Sequence, residues 1–438
     1  MTEARPSSRR EFLAASAAAA AFGGLDLRSG RLHGAVPHGR PLRRGPTEFD
    51  DRELRVGLIG CGGRGIGAAR NALATAGKVK LVAVGDAFED SLSNGLKALA
   101  HPESGVSEKV GVPDSQRFVG FDAFRRVVDC ELDVVILATP PHFRPAQFAY
   151  AVEKGRHCFI EKPVAVDGAG VRTVLAAAEL ADQKKLCVGV GLQRHHQTGY
   201  IETMKRIHGG EIGDVVAARC YWNQGLLWHK DRRPEWSDME WQLRNWLYFT
   251  WLSGDHIVEQ HIHNLDVINW AKRAHPVRAM GMGGRQVRTD AKYGHIFDHH
   301  DVHYEFADGS FMFSQCRQID GCANQVSEHV VGTKGRADLN TGGWTILGEK
   351  PWQFPRGEAN EPYQGEHDDF FAAIRSGQVY NEARYGAEST LTAVMGRMAT
   401  YSGRVVTWDE AMASERLGPD SYEWGDLPVP PVPVPGRD

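Results

Sequence analysis

Residues 54–65 read LRVGLIGCGGRG, a largely apolar run that leads directly into the glycine pattern G-x-G-x-x-G. A helix is expected over about 68–76, and a second strand-like run, residues 81–85, ends on Asp86. This acid lies 21 residues after the last glycine of the pattern, close to the spacing of roughly 20 residues typical of dinucleotide-binding βαβ units. Strand, glycine turn, helix, strand and acid in this order predict a dinucleotide site.

The glycine pattern and Asp86 have separate expected functions. Glycine is needed where the backbone turns tightly and approaches a pyrophosphate, while the N-terminus of the following helix attracts the anion. Asp86 is expected to accept hydrogen bonds from ribose hydroxyls and to repel a 2′-phosphate, which predicts NAD rather than NADP. The residues expected at the pyrophosphate are Gly60, Gly62, Gly63, Arg64 and Gly65.

Strand-like and helix-like segments continue to alternate after this unit. The apolar run 133–138 stops at Thr139-Pro140-Pro141-His142, and the run 158–160 stops at Glu161-Lys162-Pro163. Regular βα alternation predicts an α/β fold with a doubly wound parallel sheet, the Rossmann arrangement, over residues 51–191. Lys162 then lies at the end of a strand, where open α/β sheets place their ligands.

Residues 192–418 have a different pattern. Their strand-like segments alternate apolar and polar positions, as expected of a sheet with one covered face. They predict a second domain that is built on such a sheet. Residues 419–438 are rich in proline and are expected to form an extended tail.

The second domain contains the segment GDHIVEQHIHNLD, residues 254–266. We expect one continuous helix from Ile257 to Ala271. Glu259, His263 and Asp266 would then share one face, because their spacing is i, i+4 and i+7. That face is predicted to meet Lys162 across the cleft between the domains.

Together these motifs resemble the Gfo/Idh/MocA oxidoreductases. The resemblance rests on the glycine-rich start, Thr139-Pro140-Pro141-His142, Glu161-Lys162-Pro163 and the acid-x-x-x-His-x-x-Asp pattern of residues 259–266, and it covers roughly residues 55–408. It implies an NAD- or NADP-binding Rossmann domain and a C-terminal α/β domain with a large open mixed sheet. It also implies oxidation of a sugar or cyclitol hydroxyl, or reduction of the ketone. The chain departs from the family at Glu259, where aspartate is more frequent.

The resemblance also implies functions for single residues. His263 is the expected general base, since a histidine of ordinary pKa, about 6.5, accepts a proton at neutral pH. Lys162 is expected to stabilise developing alkoxide charge, and Glu259 to orient the hydroxyl or the His263 ring. Arg194 matches an arginine that the family often places near the substrate. The cofactor contacts implied by the motifs are Thr139, Pro140, His142, Glu161 and Lys162.

Residues 221–251 are rich in tryptophan, with six of the eleven in the chain. Aromatic faces can stack on a sugar, although most such side chains pack a core or an interface. Trp228 is the expected substrate contact, because polar residues surround it. Residues 298–303, DHHDVH, include ligand types that suit zinc. They also alternate like a strand, and no metal is predicted.

The N-terminus carries Arg9-Arg10 before an alanine-rich apolar stretch, which predicts a twin-arginine export signal over residues 1–30 and a linker over 31–50. The apolar stretch is too short for a membrane span. The protein is therefore expected to use the twin-arginine machinery and to be periplasmic or extracytoplasmic. Free NAD should be scarce there, so the cofactor is expected to stay bound and to be regenerated on the enzyme.

The predicted function is an NAD-dependent sugar oxidoreductase. The alternative is a redox-neutral glycosidase, in which transient oxidation allows elimination, and a non-catalytic binding protein is the third hypothesis. A formal net charge of −4 over 438 residues gives no reason to expect nucleic acid. An open apolar sheet face predicts a homo-oligomer.

Overall fold

A computed structural model describes residues 51–340 and 342–437. The predicted twin-arginine segment and linker, residues 1–50, lie outside these ranges. The N-terminal domain contains a six-stranded parallel sheet of order β3-β2-β1-β4-β5-β6. Its strands are β1 (Leu54–Ile59), β2 (Val79–Asp86), β3 (Arg117–Val119), β4 (Val134–Leu137), β5 (His157–Ile160) and β6 (Val188–Val190).

Helices cover both faces of this sheet, so its central strands are buried on both sides. All four residues of β4 are buried, which explains why this strand is a continuous apolar run rather than an alternating one. The predicted Rossmann arrangement is confirmed. The helices of the domain are α1 (Gly63–Ala74), α2 (Glu89–Ala100), α3 (Ala123–Val128), α4 (Arg144–Glu153) and α5 (Gly168–Gln183).

The C-terminal domain contains a nine-stranded mixed sheet of order β14-β13-β12-β11-β7-β10-β9-β8-β15. Strands β7 and β10 pair in parallel, and the other neighbours are antiparallel. The strands are β7 (Val215–Gln224), β8 (Arg278–Gly284), β9 (His299–Glu305), β10 (Phe311–Gln318), β11 (Gln325–Gly332), β12 (Gly335–Asn340), β13 (Gly343–Gly348), β14 (Trp352–Gln353) and β15 (Val406–Thr407).

The helices of the C-terminal half pack on the mixed sheet, on one another or on the first domain. They are α6 (Thr198–His208), α7 (Asp238–Arg244), α8 (Thr250–Ser253), α9 (His256–Glu259), α10 (Ile262–Lys272), α11 (Pro362–Ser376), α12 (Ala383–Ser402) and α13 (Trp408–Ala413). Gln364 of α11 accepts a hydrogen bond from Asn71 of α1 at 3.0 Å. No helix among the described residues has the length and apolar character required to cross a membrane.

The proline-rich tail contains neither helix nor strand over residues 419–437. It is nevertheless packed on the body of the protein. Gln242 Nε2 donates to the carbonyl of Leu427 at 2.6 Å, and the Leu427 amide donates to Asp238 Oδ2 at 3.1 Å. The tail is therefore part of the folded structure as far as these contacts reach.

A buried histidine links the two parts of the chain. His196 Nδ1 lies 2.7 Å from Asp369 Oδ2 on α11, and its Nε2 lies 3.1 Å from Glu382 Oε1, just before α12. Burial alone would lower the pKa of His196, but Glu382 and Asp369 raise it to about 10. The imidazolium therefore holds α11 and α12 against the end of the parallel sheet.

This histidine should make stability depend on pH. Its folded pKa exceeds the unfolded value of about 6.5, so its contribution is complete below that pH and is lost as pH rises through about 10. Between pH 7 and 10, wild-type protein should lose a few degrees more in unfolding temperature than His196→Gln. Scanning fluorimetry measures this, with exposed His101→Gln as the control. Equal slopes in wild type and His196→Gln would contradict the assignment.

Candidate active site

A cavity of about 910 Å³ lies at the C-terminal edge of the parallel sheet. Its floor includes residues at or just after the ends of β1, β2 and β4, among them Gly60, Asp86 and Thr139. The volume is within the range of roughly 300–1,000 Å³ typical of ligand pockets. The strand order reverses between β1 and β4, and such switch points are where α/β sheets bind nucleotides.

The glycine loop fits a dinucleotide. Gly60 has φ of 92°, and a Cβ there would lie 2.7 Å from the carbonyl carbon of Ala138. A Cβ on Gly65 would lie 1.9 Å from the Gly60 oxygen. By contrast, a Cβ on Gly62 or Gly63 would meet nothing within 4 Å. The turn itself therefore requires glycine at positions 60 and 65. Gly62 and Gly63 instead leave open space at the N-terminus of α1 for an anionic group.

Asp86 stands at the end of β2 with its carboxylate held in place. Oδ2 accepts from the Cys61 amide at 2.7 Å, and Oδ1 accepts from the Phe88 amide at 2.9 Å. Burial raises the pKa of this carboxyl above its ordinary value. Both oxygens keep further lone pairs, and the residue lines the cavity, as a ribose-binding acid should.

Arg64 and Glu161, both predicted as cofactor contacts, bind each other. Arg64 Nε donates to Glu161 Oε1, and its Nη2 donates to Glu366 Oε1 at 3.1 Å. The guanidinium also lies over the ring of Tyr363, 4.6 Å from its centroid. The Glu161 carboxylate is buried. Because it binds Arg64, which lies in the glycine loop, it supports the conformation of that loop.

The loop that carries Lys162 is held by Arg144. Its Nη1 donates to the carbonyls of Glu161 at 2.9 Å and Pro163 at 2.6 Å, on either side of the lysine. Burial lowers the pKa of Arg144 to about 10, so the guanidinium remains charged near neutral pH. Lys162 is thus fixed at its backbone from both sides.

The Lys162 ammonium crosses to the C-terminal domain. Nζ donates to the Glu259 carbonyl at 2.6 Å and to Glu259 Oε1 at 2.9 Å. The side chains of both residues are largely buried, at 13% and 10% exposed. Glu259 Oε2 is also buried and has no hydrogen-bond partner among the described residues. One acceptor of this acid is therefore available to a ligand.

The predicted continuous helix 257–271 is wrong. The structure has two helices, α9 and α10, separated at Gln260 and His261. The His261 amide donates to the His256 carbonyl, five residues back, and the His263 amide donates to Gln260 at 3.4 Å. In an unbroken helix the Glu259 carbonyl would accept from His263. The break leaves that carbonyl free for Lys162.

Asp266, expected on the same face as Glu259 and His263, points elsewhere. Its Oδ2 lies 2.7 Å from His195 Nε2, and its Oδ1 accepts from Ser389 Oγ at 2.8 Å. The prediction that it meets Lys162 is therefore wrong, because both carboxylate oxygens of Asp266 are taken by His195 and Ser389. Asp266 instead links α10 to α12.

His263 is buried at the start of α10, with 5% of the residue exposed. Its ring stacks on Trp222, with centroids 5.7 Å apart and planes 24° apart. Burial, then the charges of Lys162 and Arg194, lower its pKa well below the ordinary value. The ordinary pKa expected for His263 is therefore not the one that its buried site gives. The imidazole is neutral at pH 7, and its Nδ1 has no hydrogen-bond partner among the described residues.

Arg194 lies next to this group in a buried ion pair. Its Nη1 donates to Glu328 Oε1. The other carboxylate oxygen, Glu328 Oε2, accepts from the Tyr200 hydroxyl at 3.0 Å. The guanidinium is 5.8 Å from the centroid of the Trp222 ring. Arg194 therefore supports the ring that stacks on His263, and its side chain is only 4% exposed.

Other predicted residues take different places. Thr139 and Pro140 line the cavity. Trp228 also lines this cavity, on the cofactor side, whereas the ring beside His263 is Trp222. His142 is buried outside the cavity wall, with Nε2 2.7 Å from the hydroxyl of Tyr422. Its pKa falls to about 3 through burial and the nearby Arg416.

A second polar cluster lies just before Glu259. Asp255, His256 and His300 are buried with ligand-type atoms within 4.8 Å of one another. The Asp255 carboxylate accepts from the Phe297 amide at 2.9 Å and from Tyr401 at 2.7 Å, and lies 2.8 Å from His256 Nδ1. These hydrogen bonds occupy the Asp255 carboxylate. Its role is therefore structural, to hold the start of α9 in place.

Three residues of the site, Trp222, Arg144 and Glu366, were not predicted from the sequence. Trp222 could have been found, because it shares the inward side of β7 with Ala218 and Cys220 at a period of two. No local signal marks Arg144 or Glu366, since their partners lie 17 and 302 residues away along the chain.

Two sequence profiles of one family match the chain. A profile described as an oxidoreductase family with an NAD-binding Rossmann fold matches residues 54–192, and the Gfo/Idh/MocA C-terminal domain matches residues 200–338. The chain belongs to the Gfo/Idh/MocA oxidoreductase family. The predicted resemblance and the NAD cofactor are confirmed, and the fit of the glycine loop and Asp86 agrees with both.

Several curated proteins are similar to this member of the family. The scyllo-inositol 2-dehydrogenase (NAD(+)) of Bacillus subtilis (strain 168) is 23% identical over 293 residues, 66% of this chain and 75% of that protein. Inositol 2-dehydrogenase 4 of Saccharopolyspora erythraea is 31% identical over 172 residues, 39% of this chain and 46% of that protein. The 2,7-anhydro-N-acetylneuraminate hydratase of Escherichia coli (strain K12) is 26% identical over 224 residues, 49% of this chain and 52% of that protein. The chain spans about half the length of the last two.

Solved structures show the same fold. The aldose-aldose oxidoreductase from Caulobacter crescentus, complexed with glycerol, has a TM-score of 0.64 at 18% identity and covers 81% of this chain and 100% of its own. Levoglucosan dehydrogenase in complex with NADH and levoglucosan has a TM-score of 0.63 at 18% identity, with coverage of 81% and 99%. At this identity the likeness concerns the fold.

Asp86 gives a direct test of cofactor choice. Replacing it in Asp86→Ser removes charged acceptors, and hydrogen bonds to charged groups contribute about 1.5–3 kcal/mol each. NADH should therefore bind roughly 10- to 100-fold more weakly, while NADPH binding should be unchanged or stronger because the repulsion is removed. Fluorescence titration of both nucleotides measures this, with Asp114→Ser, an exposed acid outside the cavity lining, as control. Equal loss for both nucleotides would contradict the assignment.

Proposed function

We propose that this protein oxidises a hydroxyl of a sugar or cyclitol, or reduces the corresponding ketone, with an NAD that stays bound. The observation that carries the proposal is the meeting of Lys162, Glu259 and His263. Lys162 extends from the end of β5 and contacts Glu259 of the other domain at 2.9 Å. His263 follows four residues after Glu259, at the start of α10, and the Lys162 charge is one of the causes that lower the His263 pKa. A donor, an open acceptor and a neutral base are thus brought together.

The chemistry follows from these three groups. His263 is neutral and can accept the hydroxyl proton, while the Lys162 ammonium can donate a hydrogen bond to the same oxygen as it becomes an alkoxide. Glu259 Oε2 can accept a hydrogen bond from a neighbouring hydroxyl and so orient the ring. When bound, NAD supplies the acceptor for the hydride from carbon. In the reverse direction the same groups return a proton to the ketone oxygen.

The relatives support a cyclitol or sugar substrate. Two relatives bear the names of inositol dehydrogenases, and two similar structures are named as an aldose-aldose oxidoreductase and levoglucosan dehydrogenase. We propose a substrate of this polyhydroxylated class. The charged and hydrogen-bonding groups around Lys162 suit such a molecule better than an apolar alcohol.

Export and cofactor retention are part of the same proposal. The twin-arginine pattern of residues 1–30 would carry a folded, loaded protein out of the cytoplasm. There the NADH formed must be reoxidised on the enzyme by a second carbonyl substrate. Fusion of residues 1–50 to a reporter, with Arg9→Lys/Arg10→Lys as the comparison, tests the route.

Catalytic substitutions test the three groups. Lys162→Met and His263→Ala should retain NAD yet lose turnover by roughly 10²- to 10⁴-fold, the usual contribution of a positioned proton-transfer group. Lys154→Met is the matched control, because Lys154 follows α4 at the opposite edge of the sheet. Turnover is measured as NADH formed with inositols and aldoses, and bound nucleotide is measured after denaturation. Full activity in either variant would remove that residue from the mechanism.

A redox-neutral reaction is the second candidate, favoured by the relative named as a hydratase. In that case the hydride removed from the substrate returns to the product. Aryl glycosides distinguish the two reactions. Release of the aryl group without accumulation of NADH would contradict the oxidoreductase proposal and support transient oxidation.

We also propose that the open face of the mixed sheet is the interface with a second copy of the chain. Helices α10 and α12 cover the other face. The open face carries large apolar side chains, of which Met282 is 77% and Phe313 48% exposed. His303 stacks on Phe313 with ring centroids 5.0 Å apart. Exposed apolar area of this kind is typical of protein–protein contacts.

Charge placed on this face should separate the copies. In Met282→Glu/Phe313→Glu, two carboxylates would have to be buried, which is strongly unfavourable. Light scattering coupled to size exclusion should show a dimer or larger assembly in the wild type and a monomer in the variant. Val379→Glu, an exposed apolar position outside the sheet, should assemble normally. A monomeric wild type would end this proposal.

A further inference from the structure

The cofactor cavity has a second wall that comes from the C-terminal domain. The glycine loop, Asp86 and Phe88 form one side. Residues 228–246, here named the clamp segment, contribute the other side. The cavity-lining residues of the clamp segment include Trp228, Lys230, Arg233, Trp236, Arg244 and Trp246.

The clamp segment is held in a defined conformation. The Lys230 amide donates to Asn245 Oδ1 at 2.8 Å, and the Trp241 indole donates to the Lys230 carbonyl at 3.1 Å. The hydroxyl of Tyr248 donates to the carbonyl of Trp228 at 2.9 Å. The backbone on both sides of Lys230 is therefore fixed. Lys230 lines the cavity and has no ion pair among the described residues.

Arg244 ties the clamp segment to the Rossmann domain. Its Nη1 and Nη2 donate to the two oxygens of Asp90 at 3.0 and 3.2 Å. Its guanidinium carbon also lies 3.9 Å from the centroid of the Phe88 ring. Since Phe88 and Asp90 both line the cavity just after Asp86, this contact closes the side where the ribose-binding acid stands.

The C-terminal tail forms a latch over the same junction. Trp424 contacts Phe88 and Phe121, with ring centroids 5.5 and 4.6 Å apart, and both phenylalanines line the cavity. The Met239 amide, on the clamp segment, donates to the Gly425 carbonyl at 3.1 Å. The tail thus contacts both walls of the cavity at once.

The charge of the clamp segment suits the ligand. Lys230 and Arg233 line the cavity, and the anionic part of NAD is its diphosphate. Cations that flank an anion outside a helix N-terminus add to the attraction of the helix itself. The tryptophans of the same segment offer aromatic faces of the kind on which a base can stack.

We propose that Lys230 and Arg233 bind the diphosphate of NAD, and that the clamp segment, latched by Trp424, sets how long the cofactor remains bound. This inference rests on the retained cofactor of the proposed function. It adds a cofactor contact from the C-terminal domain to those of the glycine loop. Release of NAD then requires the clamp segment and tail to move away from Phe88.

The test is the dissociation rate of NADH from the full chain. NADH fluorescence is followed by stopped flow after mixing with excess NAD, at several salt concentrations. Lys230→Gln/Arg233→Gln should release NADH at least about tenfold faster, the effect of losing roughly one charged hydrogen bond, with a weaker salt dependence. Lys350→Gln/Arg356→Gln removes two exposed cations outside the cavity and should behave as wild type.

The latch is tested in the same way. Trp424→Ala should raise the dissociation rate severalfold, while Val434→Ala, an exposed residue further along the tail, should not. Half of Trp424 is exposed, so the fold should survive, and thermal unfolding verifies this. An unchanged rate in the Lys230/Arg233 variant would overturn the proposal, and an unchanged rate in Trp424→Ala would overturn the part played by the tail.

These outcomes separate the clamp from the proposed function. Dissociation is measured without substrate, so the result does not depend on which sugar is oxidised. Rapid exchange of NADH in the wild type would overturn the retained-cofactor proposal. Slow exchange in the wild type and in all variants would overturn the proposed role of the clamp segment and would leave the retained-cofactor proposal intact.

Discussion

The contact between Lys162 and Glu259 is the constraint on which the site depends. It joins the end of β5 to α9 and so sets how the two domains meet. A buried ammonium is costly unless it is paired and hydrogen-bonded. Here a carboxylate and a carbonyl both accept from it, and the carbonyl is free only because the helix breaks after Glu259. In an unbroken helix the His263 amide would donate to that carbonyl, and Lys162 would have one hydrogen-bond acceptor fewer.

Buried ion pairs surround this contact and hold its parts in place. Arg64 connects the glycine loop to Glu161 and to α11, and Arg194 connects the β6 end to β11 through Glu328. Breaking such a pair on one side leaves an uncompensated buried charge, which typically costs about 3–5 kcal/mol. Buried ion pairs in both domains therefore help to position the cofactor loop, the lysine and the ring that stacks on the histidine.

Local patterns predicted much of this arrangement. The βαβ unit, Asp86 and the parallel sheet follow from glycine spacing, buried apolar runs and the acid after the second strand. The continuous helix 257–271 and the place of Asp266 were wrong, because periodicity cannot detect a break that is stabilised by a lysine 97 residues earlier. The place of Trp228 was equally hard to predict from the sequence. The side of the cavity to which it belongs forms only when the two domains pack together.

The sequence by itself determined the fold class, the NAD loop and the residue types available for proton transfer. These depend on short-range requirements: where a backbone can turn, which faces are apolar and which acid follows the second strand. Only the tertiary structure decided that Glu259 pairs with Lys162, that Trp222 stacks on His263 and that the tail reaches Phe88. Those contacts join segments far apart in the chain, and their geometry follows from burying charges and aromatic rings together, which no local pattern encodes.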